Sequence, residues 1–417
     1  MPLVKALAAA FLAGESSVEQ IVERGSVLLG RRWDWLEALA ERYVARFGAL
    51  RPRQRDVVRF FREDENFRQT FSEHRDKLSI AQRWIAPVQM QKSGWHLPVI
   101  ETPGDFADWL ALYPGELDWF ADLKELATRP KLRHYHYRVF DKGGGAIRLI
   151  ESPKPRLKWI QQRILAEILD RIPPHPAAHG FVKRRSVKTF AAPHAGQRVV
   201  LRMDLRDFFP SIGGPRIQAV FRTMGYPEAV ADLLGGIATN CVPRDVCRDL
   251  MYRRPHLPQG APTSPALANM CLYRADCRLL GLAASAAAQY TRYADDLAFS
   301  GAEEFDRRVE RFAAHVAAIL HEEGFAIHPR KTRIMRQGVR QHLAGVVTNR
   351  RLNVWRVDFD RLKATLTNCA RHGPASQNRE GHADFHAHLE GRVSYVASIN
   401  PEKGKKLRAI FERIEWA

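Results

Sequence analysis

Cysteine is scarce in this 417-residue chain, and the five present (Cys241, Cys247, Cys271, Cys277, Cys369) form no Cys-x-x-Cys pair and no Cys/His zinc spacing. That excludes a disulfide scaffold and a cysteine-based zinc site, and the sparse odd count reads as buried thiols in a reducing compartment. Long apolar runs are also missing. None approaches the ~18 residues of a membrane span, so no membrane partner and a cytoplasmic location are expected. The apolar stretch at residues 6–13 lacks the basic front and cleavage site of a signal peptide. Its Leu3, Leu7 and Phe11 recur every four residues, which fits a short amphipathic helix. No repeat or low-complexity tract is present. Acidic residues are outnumbered, 46 Asp+Glu against 65 Lys+Arg, for a net charge of +19 and a pI near 10.0. Such an excess calls for a polyanionic partner, nucleic acid before an acidic membrane surface. A 45% hydrophobic content and a mean hydropathy of −0.34 describe a globular chain and exclude wholesale disorder. At ~100–200 residues per domain, its length implies two or three packed units.

Residues 1–130 read as mostly helical. Ser16 with Glu19 offers a capping box, and apolar residues from Ile21 to Phe47 fall largely at three-to-four spacing. A further helix is expected through Val57, Phe60, Phe61 and Phe67, and another from Phe106 to Leu126, broken by Pro114-Gly115. Nothing in this third has catalytic spacing, and it reads as a structural or RNA-docking extension. From residue 133 the texture changes. Residues 134–140 and 146–150 flank Asp141-Lys142-Gly143-Gly144-Gly145 as a hairpin, and Leu157, Ile160, Ile164 and Ile168 make one helix face. Residues 198–205 predict a strand, 265–280 a helix, 290–300 a strand–turn–strand, and Phe305 to Leu320 one helix ended by Gly324. Short strands near 326–328, 331–335 and 343–347 and further helices complete the pattern.

Asp204 stands at the end of its strand and Asp295-Asp296 in the turn of the hairpin. Neighbouring strands of one sheet bring such residues to one rim. Hard oxygen ligands there suit Mg²⁺, and two ions clamp the attacking and leaving oxygens of a phosphoryl displacement. Taken singly, an Asp-Asp turn is ordinary solvated turn chemistry and Asp204 is a helix cap. Together, in a basic chain, they point to phosphoryl transfer on nucleic acid.

Three blocks stand in order: Asp204-Leu205-Arg206-Asp207-Phe208-Phe209-Pro210-Ser211-Ile212, then Pro258-Gln259-Gly260-Ala261-Pro262-Thr263-Ser264-Pro265, then Tyr293-Ala294-Asp295-Asp296-Leu297-Ala298-Phe299-Ser300. The chain resembles the reverse transcriptases in these blocks and in their order, over roughly residues 133–417. The resemblance implies an α+β right-hand polymerase with a helical N-terminal extension (1–130), fingers and palm (131–350) and a helical thumb (351–417). It implies that Asp204, Asp295 and Asp296 bind two Mg²⁺ ions, and that Phe209 is the steric gate against a ribose 2′-hydroxyl. Gln259 and Gly260 would lie along template and nucleotide, and Tyr293 beside the substrate. Lys331 would act as general acid toward pyrophosphate, or else contact product-strand phosphate. Lys142 and Arg148 would grip the triphosphate, or else be solvated hairpin charges.

The branch it resembles is the bacterial retron and retron-like enzymes, through His179-Gly180-Phe181, Arg185-Ser186-Val187 and Gly301 after the aspartate hairpin. Ala191-Ala192-Pro193-His194 is similar to the Asn-Ala-x-x-His box, with Phe190 in place of Asn, and Leu343-Ala344-Gly345 stands where retrons carry Val-Thr-Gly. The implied partners are a structured noncoding RNA serving as template and primer, the RNA–DNA hybrid product, deoxynucleoside triphosphates and a defence effector protein. Basic clusters at Lys154, Arg156 and Lys158, at Lys183, Arg184, Arg185 and Lys188, and at Arg330, Lys331, Arg333 and Arg336 would grip the RNA. With no maturase-sized segment after Trp416-Ala417, a mobile group II intron enzyme is not expected. The alternatives are a defence reverse transcriptase of another branch and an RNA-binding protein with an idle polymerase site.

Overall fold

A computed structural model of the chain describes residues 2–13, 16–48, 50, 52–74, 76–81, 94–141 and 147–416. They form two compact units that alternate along the sequence: Met1–Arg171 with Gly214–Pro255, and Ile172–Gly213 with His256–Ala417.

The first unit opens with five helices, Pro2–Leu12, Val18–Leu29, Asp34–Phe47, Gln54–Glu63 and Glu65–Glu73. Each turns an apolar stripe inward, around an aromatic core in which Phe11 meets Tyr43 and Phe61 edge-on at 5.3 and 5.0 Å. The expected amphipathic helix over Leu3, Leu7 and Phe11 is present, with Leu7 and Phe11 fully buried. Its carbonyl end is closed by the buried Arg24, whose Nε donates to the Ala10 carbonyl at 2.8 Å, a cation meeting the negative end of a helix. Where one helix was expected from Ser16 to Phe47, two form. The N-cap is Ser17, which accepts from the Gln20 amide, and Gly30 in the left-handed region (φ 74) ends the first helix. The stretch from Val57 to Phe67 is likewise split, because Asp64 caps a new helix by accepting from Phe67 N at 2.7 Å.

Strands β1 (Tyr135–Asp141) and β2 (Ile147–Pro153) pair antiparallel as the expected hairpin. Helices Pro103–Leu110 and Pro114–Ala121, separated before Pro114 as expected, and helices Pro155–Glu167, Gly214–Thr223 and Glu228–Ala238 also belong to this unit. The last two lie in a stretch for which the sequence carried no stated expectation. Gln161, fully buried, ties helix Glu228–Ala238 to the hairpin by donating to the Tyr135 hydroxyl and to the Ile237 carbonyl.

The second unit is built on a four-stranded antiparallel sheet: β3 (Val199–Asp204), β4 (Gln289–Tyr293), β5 (Asp296–Gly301) and β6 (Arg333–Arg336), in the order β4-β5-β3-β6. The inner strands are buried on both faces, so they read as nearly continuous apolar runs. On one face Phe299 stacks on Tyr290 at 4.7 Å and meets Phe312 of helix Val309–Glu322. On the other, Val200, Ala298 and Met335 join the core of the C-terminal helices. The single helix expected from Phe305 to Leu320 is two, since Glu303–Asp306 stops before Val309–Glu322. Residues 326–328 form no strand, only an isolated bridge from Ile327 to Leu205. A two-residue turn, Ala344 (φ 45) and Gly345 (φ 84), joins β7 (His342–Leu343) to β8 (Val346–Val347), the paired positive φ of a tight hairpin.

The cysteines are not all buried, contrary to what the sequence had suggested. Among the described residues all five are free thiols, but Cys277 is exposed and Cys241 only half-buried. Cys277 lies on the outer side of helix Ser264–Ser285, whose inner side holds Leu272, Ala275 and Leu279.

Helices Arg356–His372, Phe385–Ile399 and Pro401–Phe411 close the chain. The last two cross where a Cβ on Gly404 would lie 2.4 Å from the Ala397 Cα. Gly404→Val is therefore expected to lower unfolding stability by about 1–3 kcal/mol, as overpacking does, read as a lower urea midpoint. An unchanged midpoint would show that this crossing is not tight.

Candidate active site

Strand β3 ends at Asp204, which pairs across the ladder with Asp296, the first residue of β5. On the other side Asp296 pairs with Tyr293, the last residue of β4, so Ala294 and Asp295 alone make the turn. Ala294 takes the left-handed conformation this requires (φ 54). The Leu205 amide, just past the end of β3, donates to the Asp295 carbonyl at 3.0 Å. Antiparallel register thus gathers all three carboxylates at one edge of the sheet. Asp204 is buried, and Asp295 and Asp296 are half-buried.

Like charges so gathered need counter-charges. Lys331, in the turn Pro329–Lys331, places Nζ 2.8 and 3.0 Å from the two Asp204 oxygens. The His328 amide donates to the Asp204 carbonyl at 2.8 Å and fixes that turn against β3. Arg202 lies two residues before Asp204, with Nε 3.6 Å from Asp296 Oδ1, an ion pair without a hydrogen bond. Burial pushes the Asp296 carboxyl up to about 6; Arg202 opposes the rise, and the Asp295 and Asp204 charges add to it. Among the described residues no group of three or more His, Cys, Asp or Glu side chains is arranged to hold a metal ion. The donors nevertheless fit a hard cation in kind. They are carboxylates only, they repel one another, and the buried Asp296 Oδ1 has no hydrogen-bond partner.

The turn rests on a buried network that the sequence reading missed. Arg292, fully buried on β4, pairs in bidentate fashion with the fully buried Asp276, Nε to Oδ1 at 2.9 Å and Nη2 to Oδ2 at 2.7 Å. Its Nη1 donates to Asn269 Oδ1 and to the Ala294 carbonyl, both at 3.0 Å. Tyr290 donates to Asp276 at 2.7 Å, and burial together with the Asp276 charge holds its phenol well above the usual range. Below the turn, the Asn269 amide donates to the Gly180 carbonyl, and a Cβ on Gly180 would lie 2.3 Å from the Ala294 nitrogen. Only glycine admits that approach. Two signals were there to be read: a charged residue inside the apolar strand before the aspartates, and Asp276 on the same helix face as Leu272 and Leu279.

Phe209 lies in the short helix Phe208–Ser211, half-buried, on the segment that leaves Asp204. Gln259 is half-buried; Gly260 is exposed at φ 136, a conformation open to glycine. Tyr293 packs on Phe190, ring centroids 5.7 Å apart. Lys142 falls outside the described residues. Arg148 sits exposed on β2 of the first unit, paired with Phe140.

Residues 140–359 match the family model described as reverse transcriptase (RNA-dependent DNA polymerase). The chain belongs to this family. It is 40% identical over 330 residues to the retron Mx65 reverse transcriptase of Myxococcus xanthus, covering 78% of this chain and 74% of that one. It is 35% identical to the retron Mx162 reverse transcriptase of the same organism, covering 76% and 68%. To the retron Ec86 reverse transcriptase of Escherichia coli it is 29% identical, covering 70% and 85%. The protein is thus a bacterial retron-type RNA-directed DNA polymerase with the α+β right-hand fold, and enzymes of its family generally use divalent metal ions. Among its described residues no helix is long and apolar enough to cross a membrane.

The reverse transcriptase ties down some of the cations expected to grip nucleic acid. Arg185 donates to the carbonyls of Pro176 and Ala178, and Arg336 pairs with Asp306 and Glu310. Lys183, Arg184, Lys188, Arg330 and Arg333 are exposed. His194, the last residue of the box that departs from the retron pattern at Phe190, is a buried lock. Its Nδ1 meets Ser300 Oγ at 2.6 Å on β5 and its Nε2 meets Thr291 Oγ1 at 2.8 Å on β4. Phe190 fills the fully buried space beside it, and its carbonyl accepts from Thr291.

Burial pushes the His194 imidazole down from 6.5 to about 3. Between those values the unfolded chain holds the proton and the folded chain does not, so stability falls as pH drops. Urea unfolding of the wild type is expected to lose about 1.4 kcal/mol per pH unit more than His194→Gln below pH ~6. Equal slopes would contradict a neutral buried His194.

Proposed function

We propose that this polymerase copies a structured noncoding RNA into DNA, starting from a primer hydroxyl on that RNA, and that it serves antiphage defence beside an effector protein. The observation that carries the chemistry is the Asp204–Asp296 pairing across β3 and β5, with Asp295 in the adjoining turn. Asp204, Asp295 and Asp296 would hold two Mg²⁺ ions, which when bound lower the charge on the reacting phosphate and make the hydroxyl a better nucleophile. The primer 3′-hydroxyl, or a 2′-hydroxyl at initiation, attacks the α-phosphate of a deoxynucleoside triphosphate and pyrophosphate leaves.

The other roles rest on this chain's own groups. Lys331, its side chain about half-exposed, would leave Asp204 and donate its proton to the pyrophosphate oxygen. Phe209 closes the space a ribose 2′-hydroxyl needs. Gly260 lets the backbone approach template and nucleotide, Gln259 and Tyr293 flank the substrate, and Lys142 and Arg148 grip the triphosphate. Residues 131–350 serve as fingers and palm, 351–417 as thumb, and 1–130 as the helical extension. The exposed cations at 183–188 and 330–333 meet RNA phosphates.

The test is sequencing of nucleic acid that copurifies with the wild type and with Asp295→Asn. The expected outcome is discrete DNA joined to one small RNA, present with the wild type and absent with the variant. DNA without a fixed RNA partner would favour a defence enzyme of another branch. RNA alone in both preparations would overturn the proposal.

A further inference from the structure

Phe181 follows Gly180, the residue that underlies the aspartate turn. Its backbone is left-handed, with φ 62, a conformation that bulky side chains rarely adopt. Neighbours on either side enforce it. Gly180 is pressed against Ala294 and held by Asn269, and Arg185 grips the Ala178 carbonyl at 2.6 Å. Core packing does not account for the cost, because Phe181 is 49% exposed. A strained, exposed aromatic held by rigid surroundings is a mark of function.

The Phe181 ring lies against that of Phe209, centroids 6.0 Å apart at an interplanar angle of 78°. Phe209 also meets Phe208, at 5.4 Å and 70°. Phe208 is buried and packs on Phe325. The Phe209 ring is therefore held edge-to-face by a ring anchored in the core and by a ring anchored on the aspartate turn. Asp207, which starts the short helix carrying Phe209, is itself left-handed at φ 47, so its helix approaches the site at a set angle. Aromatic pairs of this geometry fix ring orientation.

We infer that Phe181 is a positioning residue for sugar selection: its ring braces Phe209 in the orientation that excludes a ribose 2′-hydroxyl, and so sets the preference for deoxynucleotides over ribonucleotides. The inference rests on Phe209 being the gate. It also couples the gate to the catalytic turn, because Phe181, whose ring touches Phe209, directly follows Gly180, which packs on Ala294. Displacing the turn displaces the brace.

The experiment is steady-state incorporation of one deoxynucleotide and the matching ribonucleotide on a short RNA template annealed to a DNA primer. The enzymes are the wild type, Phe181→Ala, Phe181→Gly, Phe181→Tyr and Phe209→Ala. Phe181→Gly removes the ring while relieving the strain at φ 62, so it separates the side chain from the backbone. Phe181→Ala and Phe181→Gly are expected to lower the ratio of kcat/KM for deoxy- over ribonucleotide by about threefold to tenfold, the worth of one edge-to-face contact. The change should come from faster ribonucleotide use. Phe181→Tyr, which keeps the ring, should keep the ratio. A merely structural role would slow both substrates alike and leave the ratio alone. An unchanged ratio in both ring-deleting variants, beside a collapsed ratio in Phe209→Ala, overturns the inference and leaves the gate standing. An unchanged ratio in Phe209→Ala removes the gate reading itself, and the inference with it.

Discussion

Three carboxylates held at one sheet edge repel one another, and the second unit is arranged around that cost. Register sets the positions of Asp204 and Asp296, which face each other across the ladder, since a slip of one residue would turn each side chain to the opposite face. Asp295 is set by the adjoining turn. The buried Arg292–Asp276 pair fixes the register at its weakest point, the turn. Arg292 holds the Ala294 carbonyl while Asp276 neutralises it inside the core. Leaving either charge buried without its partner costs about 3–5 kcal/mol, which makes the pair a strict constraint on the hairpin. Left-handed Ala294, Asp207 and Phe181 all lie around this edge. Backbone strain of that kind persists only where the surroundings over-determine it.

Lys331, bound to both oxygens of Asp204, offsets the carboxylate cluster; in the proposed reaction it would exchange that contact for the leaving phosphate. A lysine fits such exchange better than an arginine, being a compact charge on a flexible stem without a bidentate fork to lose. Arg202 issues from β3 itself, and its Nε is buried beside Asp296. One counter-charge is thus built into the sheet and the other is carried on the turn Pro329–Lys331.

Much of this site was legible in the sequence because strand periodicity is a local signal. The run from Val199 to Asp204 and the Tyr-Ala-Asp-Asp hairpin declared both strands and the turn, and the ordered blocks declared the family. Helix ends were harder. Ser17 rather than Ser16 caps its helix, and Asp64 breaks a stretch whose apolar pattern runs through it, because capping is decided by single hydrogen bonds that periodicity does not carry. The support beneath the turn was illegible for another reason. Gly180, Asn269, Asp276 and Arg292 come from separate parts of the chain, and only tertiary packing brings them together. His194 stood in a recognised box, yet its role as a neutral link between Thr291 and Ser300 follows from burial alone.

Primer extension on an RNA template by Asp204→Asn, with RNA binding measured on the same preparation, decides whether the carboxylate edge performs the polymerase chemistry. Extension is expected to fall by about a thousandfold or more, as removal of a metal-binding carboxylate from a phosphoryl-transfer site should do, while RNA affinity stays at the wild-type level. Extension within about tenfold of the wild type, with RNA binding intact, would contradict that role of the edge.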